Sequence, residues 1–380
     1  MKSAKSFAAS WAIEELSYTS WVVLSVGNSL FSSFEKDNTL EISFSSKLSC
    51  IVNLFDLTKA LIDLASPTGN EGEVVQFLKE YLEKAGFDVQ LQEVSTGRAN
   101  IYARIREPVF VFSTHTDVVP PHLPAREDDE FIYGRGACDA KGIIAAQIKA
   151  AEKLRDDGVK NFGLLFVVGE ESGSDGARAA NNLLNRCRYL INGEPTENKM
   201  ALGSKGALRV KIKTTGKAAH SAYPQQGDSA IIKLLDVLND VRSLSLPTDV
   251  VLGETTCNIG TISGGIQANV IPDSAEAELM FRLVTPAGQI KNRIEEIAND
   301  HAKLHYTFEC EPVYLQSIAG FETTVVSFTT DIPLLTNWGK PFLLGPGSIL
   351  DAHTQRERIG KKELEQSVEL YCKIADQLLT

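Results

Sequence analysis

Apolar and polar positions follow two different periods along this chain, and the places where the period changes outline its layout. From residue 53, "LFDLTKALIDLA" carries apolar residues at helical spacing, and "EVVQFLKEYLEKAG" repeats the pattern until Gly86 closes it. "FDVQLQEV", "NIYARI" and "PVFVFSTHTD" read as strands, the last nearly all apolar before Ser113. A helix is predicted over "AKGIIAAQIKAAEKLRDDG", followed by the strands of "LLFVVGEESG" and "YLINGEPT", each an apolar run that ends in acidic residues. Strands alternating with helices predict an α/β layered domain with a largely parallel sheet. In such sheets ligands collect beyond the carboxyl ends of the strands.

The middle of the chain changes character. "GALRVKIKTTG" alternates in polarity as a half-buried strand does, and "DSAIIKLLDVLNDVRSL" follows as a helix. "TTCNIGTISGG" and "SAEAELMFRLV" are two further strands, "PAGQIKNRIEEIANDH" is a helix with Pro286 near its start, and "KLHYTFEC" is a last strand. The order β-α-β-β-α-β is that of a ferredoxin-like unit. Near residue 310 the α/β pattern resumes, ending in the helix "KKELEQSVELYCKIADQLLT". The expected layout is therefore a catalytic-type α/β domain over 52–203 and 310–380, with a smaller domain over 204–309 inserted into it. Residues 1–51 are rich in serine and lack clear periodicity, and Glu14 and Glu15 interrupt any signal-peptide core. They read as an extension, non-native or disordered, with the native chain expected to begin near Val52.

Charge and cysteine usage narrow the partners. A net charge of −11 argues against nucleic acid or an anionic membrane as a general partner. The six cysteines are scattered without a CxxC pair, which fits a reducing cytoplasm better than a disulfide framework. No apolar run approaches the length of a membrane span.

Chemistry gathers at strand ends. "STHTD" supplies His115 and Asp117, "GACDAKG" Asp139, "GEESG" Glu170 and Glu171, and "NGEPT" Glu194; far downstream "GPGSILDAHT" adds His353. Taken singly, each has a bland role. A lone histidine is more often a hydrogen-bonded structural residue, as His122, His301 and His305 are taken to be; Asp139 would suit a turn or helix cap, and the glutamates a solvated edge. Gathered at one sheet edge, the acidic groups would repel one another severely unless cations compensated them. Imidazole with carboxylate oxygens suits zinc, and cobalt or manganese less selectively. Other templates are absent: there is no G-x-S-x-G elbow and no H-E-x-x-H helix, and "GRGACDAKG" lacks the order of a phosphate loop.

In that order, "STHTDVVP", "GRGACDAKG", "GEESG", "GEPT" and "GPGSILDAHT" resemble the motifs of the co-catalytic zinc hydrolases that include aminoacylase, carboxypeptidase G, succinyl-diaminopimelate desuccinylase and acetylornithine deacetylase. The resemblance runs from about residue 53 to the C-terminus and implies a zinc-peptidase-like domain with an inserted lid through which two chains form a homodimer. It implies two zinc ions bridged by Asp139, with His115 and Glu194 completing one and Glu171 and His353 the other. Asp117 would orient the His115 imidazole. Glu170 would take a proton from the water shared by the ions and deliver it to the leaving amine. The Asp139–Ala140 peptide is expected to be cis. "GKAAHSAYP" resembles the segment whose histidine, here His220, stabilises the oxyanion across the dimer. Asn269 and Arg282 fill the places that grip the substrate carboxylate.

The resemblance implies a small N-acyl amino acid as substrate. The segment "LLTNWGKPFLLGPGSILDAHTQRE" is most similar to acetylornithine deacetylase, an enzyme of arginine biosynthesis, although "TQRE" stands where "TPDE" is commoner. Succinyl-diaminopimelate desuccinylase comes second, and a lysine-pathway carrier hydrolase or a dipeptidase or carboxypeptidase third. A catalytically silent metal-binding relative is the alternative from another class; it would be expected to lose Glu170 or His220, and both are present.

Overall fold

The computed structural model describes residues 53–379, so the expectation for residues 1–51 lies outside the described residues. A six-stranded sheet runs in the order Asp88–Ser95, Arg98–Arg104, Phe162–Val167, Phe110–His115, Tyr189–Asn192, Lys340–Leu343. The last four strands in that order are mutually parallel, and the first two join one edge through antiparallel pairings.

Phe110–His115 and Phe162–Val167 are buried at every position, which is why they read as unbroken apolar runs. Their successive side chains serve different cores. Phe110, Phe112, Leu164 and Phe166 pack with the helices Leu54–Asp63, Gly72–Lys84, Lys141–Asp156 and Lys361–Leu379. Val111, Leu165 and Val167 face the other way, toward Ala177, Trp338 and Leu343. The parallel strands all point the same way, so His115, the segment after Val167, the segment after Asn192 and the loop after Leu343 emerge at one edge.

The inserted unit is a four-stranded antiparallel sheet in the order Thr256–Gly264, Ser274–Leu283, Gly206–Thr215, Lys303–Cys310. Helices Ala230–Arg242 and Ala287–Ala298 cover one of its faces, giving the ferredoxin-like arrangement predicted from the sequence. Leu208, Val210, Ile212, Leu279, Phe281 and Leu283 bury against Leu234 and Ile290. The intervening residues of the two central strands, Arg209 and Lys211 on one and Glu278, Met280 and Arg282 on the other, occupy the opposite face.

The chain enters this unit along Met200–Ser204 and leaves it along Val313–Tyr314. Those two segments pair antiparallel, Ser204 opposite Val313 and Gly203 opposite Tyr314. Among the described residues no helix is long and apolar enough to cross a membrane.

Candidate active site

His115 is the last residue of its strand and is 1% exposed. Its Nδ1 lies 3.0 Å from the Asp117 carbonyl oxygen, and its Nε2 lies 2.9 Å from Asp139 Oδ1. Asp139 ends the loop before the helix Lys141–Asp156, and the peptide that follows it is cis, as expected. The second Asp139 oxygen, Oδ2, lies 3.3 Å from His353 Nε2, and that nitrogen lies 2.9 Å from Glu171 Oε1. One buried carboxylate is thus shared between two imidazoles from opposite ends of the chain. His115, Asp139 and Glu171 present ligand-type atoms that all lie within 4.8 Å of one another.

Glu170 and Glu171 do not extend their strand. They form a single 3-10 turn, Glu170–Ser172, flanked by Gly169 and Gly173 at φ of 80° and 96°. Those left-handed positions suit glycine and turn the chain sharply on either side of the pair. Asp117 fixes this turn: its Oδ1 accepts the Glu170 N–H at 3.0 Å and its Oδ2 the Glu171 N–H at 3.1 Å. Oδ2 also accepts the Thr68 hydroxyl at 2.7 Å. The His115 imidazole meets the Asp117 carbonyl more closely than the carboxylate, whose Oδ1 is 3.5 Å away. The side chain read from the sequence as an orienter of His115 therefore also positions the two glutamates.

Glu194 follows Gly193 at the end of Tyr189–Asn192 and is 4% exposed. Among the described residues its Oε1 has no hydrogen-bond partner, an expensive condition for a buried carboxylate oxygen. Asp139, Glu170, Glu171, Glu194 and His353 line one cleft of about 500 Å³.

The electrostatics call for positive charge. Burial pushes the carboxyls of Glu170 and Glu194 well above the usual range; His115 opposes this, and the neighbouring carboxylates add to it. Burial also opposes ionisation of Asp139, yet hydrogen bonds to His115 and His353 hold its carboxyl below the usual range. Burial raises and His115, Thr68 and the Glu171 N–H lower the Asp117 carboxyl, and the lowering wins. His353 is raised to about 10 by its bonds to Asp139 and Glu171. Two imidazoles facing several buried carboxylates, one with an orphaned oxygen, form a donor set that fits divalent metal ions.

The sequence reading missed Glu357, which is 1% exposed. Its Oε1 accepts the peptide N–H groups of Gly136, Cys138 and Asp139 at 2.9, 3.3 and 3.2 Å, and its Oε2 accepts from Arg135 at 2.6 Å. It closes the "TQRE" segment, so the signal was present but carried no visible purpose without the loop it holds. Gly193 and Gly345 also matter. A Cβ on Gly345 would lie 2.5 Å from the Glu194 carbonyl oxygen, so the "NGEPT" and "GPGS" loops approach each other closely only because that position is glycine.

On the lid, Arg282 lines the cleft. His220 and Asn269 do not. They are exposed and close to each other, the Ser221 N–H donating to the Asn269 carbonyl at 3.0 Å and His220 bridging to Val270. Of the residues singled out from the sequence, the structure brings eight to one cleft and its walls and leaves these two apart from the cleft of their own chain.

Residues 202–305 match the model of a peptidase dimerisation domain. The chain is 40% identical over 350 residues to a peptidase M20 domain-containing protein of Schizosaccharomyces pombe, covering 89% of this chain and 88% of that protein. It is 36% identical over 370 residues to a probable carboxypeptidase of Aspergillus clavatus, covering 86% and 89%. A solved tripeptidase of Staphylococcus aureus has the same fold, with a TM-score of 0.74 at 22% identity over 86% of this chain and 98% of that one. The chain belongs to the M20 peptidase family of metal-dependent hydrolases.

Proposed function

We propose that this protein is a carboxypeptidase-type enzyme that releases an amino acid with a free α-carboxylate from a short peptide or an acyl group. The observation that carries this reading is the position of Arg282 in the same cleft as Asp139, Glu170, Glu171, Glu194 and His353. A guanidinium fork facing a hydrolytic centre suits a carboxylate at a fixed distance from the scissile bond.

His115 and Glu194 would hold one metal ion and Glu171 and His353 a second, with Asp139 shared between them. Two divalent ions bound there, zinc in our reading, would supply Lewis acidity toward the scissile carbonyl and toward water. Glu170, held by its main-chain bond to Asp117, takes a proton from the attacking water and delivers it to the nitrogen as the C–N bond breaks. The products are a carboxylate and an amine. Arg282 holds the carboxylate of the departing amino acid. His220 and Asn269, exposed and apart from their own cleft, suit action on the cleft of a partner in a homodimer formed through the lid. There the His220 imidazole donates to the oxyanion and Asn269 adds a contact to the substrate.

A second reading, deacetylation of N-acetylornithine, rests on the C-terminal segment "LLTNWGKPFLLGPGSILDAHTQRE". The carboxypeptidase names of the relatives favour the first. The test is release of free amino acid by zinc-loaded full-length protein from dipeptides, acyl amino acids including N-acetyl-L-ornithine, and their C-terminal amides, with Glu170→Gln as the blank. Cleavage of peptides but not of the amides supports the carboxypeptidase reading; preferred cleavage of N-acetyl-L-ornithine moves the protein to arginine biosynthesis. Equal cleavage of acids and amides removes Arg282 from its role.

A further inference from the structure

The outer face of the lid sheet carries paired charges along most of its length. Lys211 and Lys213 approach Glu276 on the adjacent strand at 3.7 and 3.2 Å. Farther along, Arg209 reaches Glu278 only at 3.9 Å. Arg282, at the end that meets the cleft, has no carboxylate at salt-bridge distance among the described residues. The cross-strand compensation that usually stabilises such a face stops there.

Two guanidinium groups are left together. Arg209 stands opposite Met280 and Arg282 opposite Ala207, so the arginines are diagonal neighbours on one face. Both line the cleft, and among the described residues they are the only arginine or lysine side chains that do. Arg282 is half-buried; that burial, with the charge of Arg209 beside it, depresses the guanidinium below its ordinary range. Half-burying the unpaired Arg282 beside a second cation, even the exposed Arg209, is unfavourable unless an anion joins them.

We infer that Arg209 is a second anion anchor, and that the cleft selects a released amino acid whose side chain bears its own carboxylate, namely aspartate or glutamate. This rests on the reading that Arg282 takes the α-carboxylate. Diagonal partners across two strands stand about 7–8 Å apart at their Cα atoms, within reach of long side chains. Their forks can converge on two carboxylates separated by a few carbons. Met280 and Phe308, also in the cleft lining, offer the methylene stem between those carboxylates an apolar surface. A neutral residue such as glutamine would leave Arg209 facing an uncharged amide.

The test compares dipeptides ending in glutamate and in glutamine, using zinc-loaded full-length protein. The unsubstituted enzyme should favour glutamate by about tenfold or more in kcat/KM. Arg209→Ala should bring that ratio close to one, and Arg209→Lys should restore part of it. Arg282→Ala should slow both peptides together and keep the ratio. A ratio near one in the unsubstituted enzyme, or an Arg209→Ala enzyme that keeps its preference, overturns the inference. If neither peptide is cleaved, the carboxypeptidase reading has failed, and binding decides the role of Arg209. Calorimetry on zinc-loaded Glu170→Gln protein should then show glutamate binding more tightly than glutamine, with the difference lost on adding Arg209→Ala. Equal binding of the two, or no binding of either, overturns it.

Discussion

Glu357 holds the backbone of Asp139 in place: its Oε1 accepts the Asp139 N–H at 3.2 Å, across a separation of 218 residues. The same oxygen accepts from Gly136 and Cys138, and its partner oxygen pairs with the buried Arg135. The loop that presents the shared carboxylate is thus shaped by one side chain from the far end of the chain. Glu357→Ala should cost about 3–5 kcal/mol, since it leaves a buried guanidinium without its carboxylate and several peptide N–H groups without that acceptor. It should also weaken zinc binding about 10–100-fold, as loss of support behind a ligand does. Glu357→Gln keeps one acceptor and should fall between. Denaturant titration and zinc titration of the three proteins check both effects.

Asp117→Asn is expected to act on turnover. One of the two oxygens that accept from Glu170 and Glu171 becomes an NH2 group facing an N–H, and the 3-10 turn must shift. We expect kcat to fall about 10–100-fold with a smaller change in KM, the pattern of a lost transition-state arrangement. Steady-state kinetics on any cleaved peptide measures it.

The trans role of His220 predicts complementation. Glu170→Gln and His220→Ala homodimers should each be nearly inactive. Mixed and allowed to exchange subunits in equal amounts, they should recover about a quarter of unsubstituted turnover, because half the dimers are mixed and each of those holds one intact site. Action of His220 on its own chain gives no recovery.

Gly345→Ala tests the close approach of two loops. The added Cβ would meet the Glu194 carbonyl oxygen at 2.5 Å and its nitrogen at 3.1 Å, and main chain cannot swing aside as a side-chain tip can. A loss of about 1–3 kcal/mol is expected, together with weaker zinc binding. Gly288→Ala is the control. That glycine lies in the helix Ala287–Ala298 with nothing among the described residues within 4 Å of its added Cβ, and the change should stabilise by about 0.5–1 kcal/mol. Thermal melts with and without zinc separate the two cases.

The parts of the fold that declared themselves in the sequence are those with one environment per period. Phe110–His115 is buried on both faces and reads as an apolar run; Ser274–Leu283 is buried on one and alternates. His115 and Glu194 were visible because parallel strands deliver their ends to one edge. The Glu170–Glu171 turn was misplaced onto a strand, because an apolar run does not mark where hydrogen bonding stops and Gly169 bends the chain. Glu357 and the clamp made by Asp117 leave no periodic trace, since each depends on partners brought close only by folding. Arg209 occupies an outward, exposed position of an alternating strand, and only the folded chain shows that this position borders the cleft. His220 and Asn269 came through resemblance alone, and their proximity in the lid gives them a common place but no contact with their own cleft.

The pairing of Ser204 with Val313 gives the lid a mechanical character. The outgoing and returning chain lie side by side, about 4.8 Å apart, and Met200–Ser204 pairs along its other edge with Thr323–Val326, so both connections belong to one three-stranded sheet. A strand hydrogen-bonded along both edges resists shear within the sheet, where those bonds would have to slide. The lid is therefore rooted in a sheet shared with the larger domain, not tethered by two loose linkers. That footing sets the height at which Arg209 and Arg282 stand over the carboxylates of the cleft.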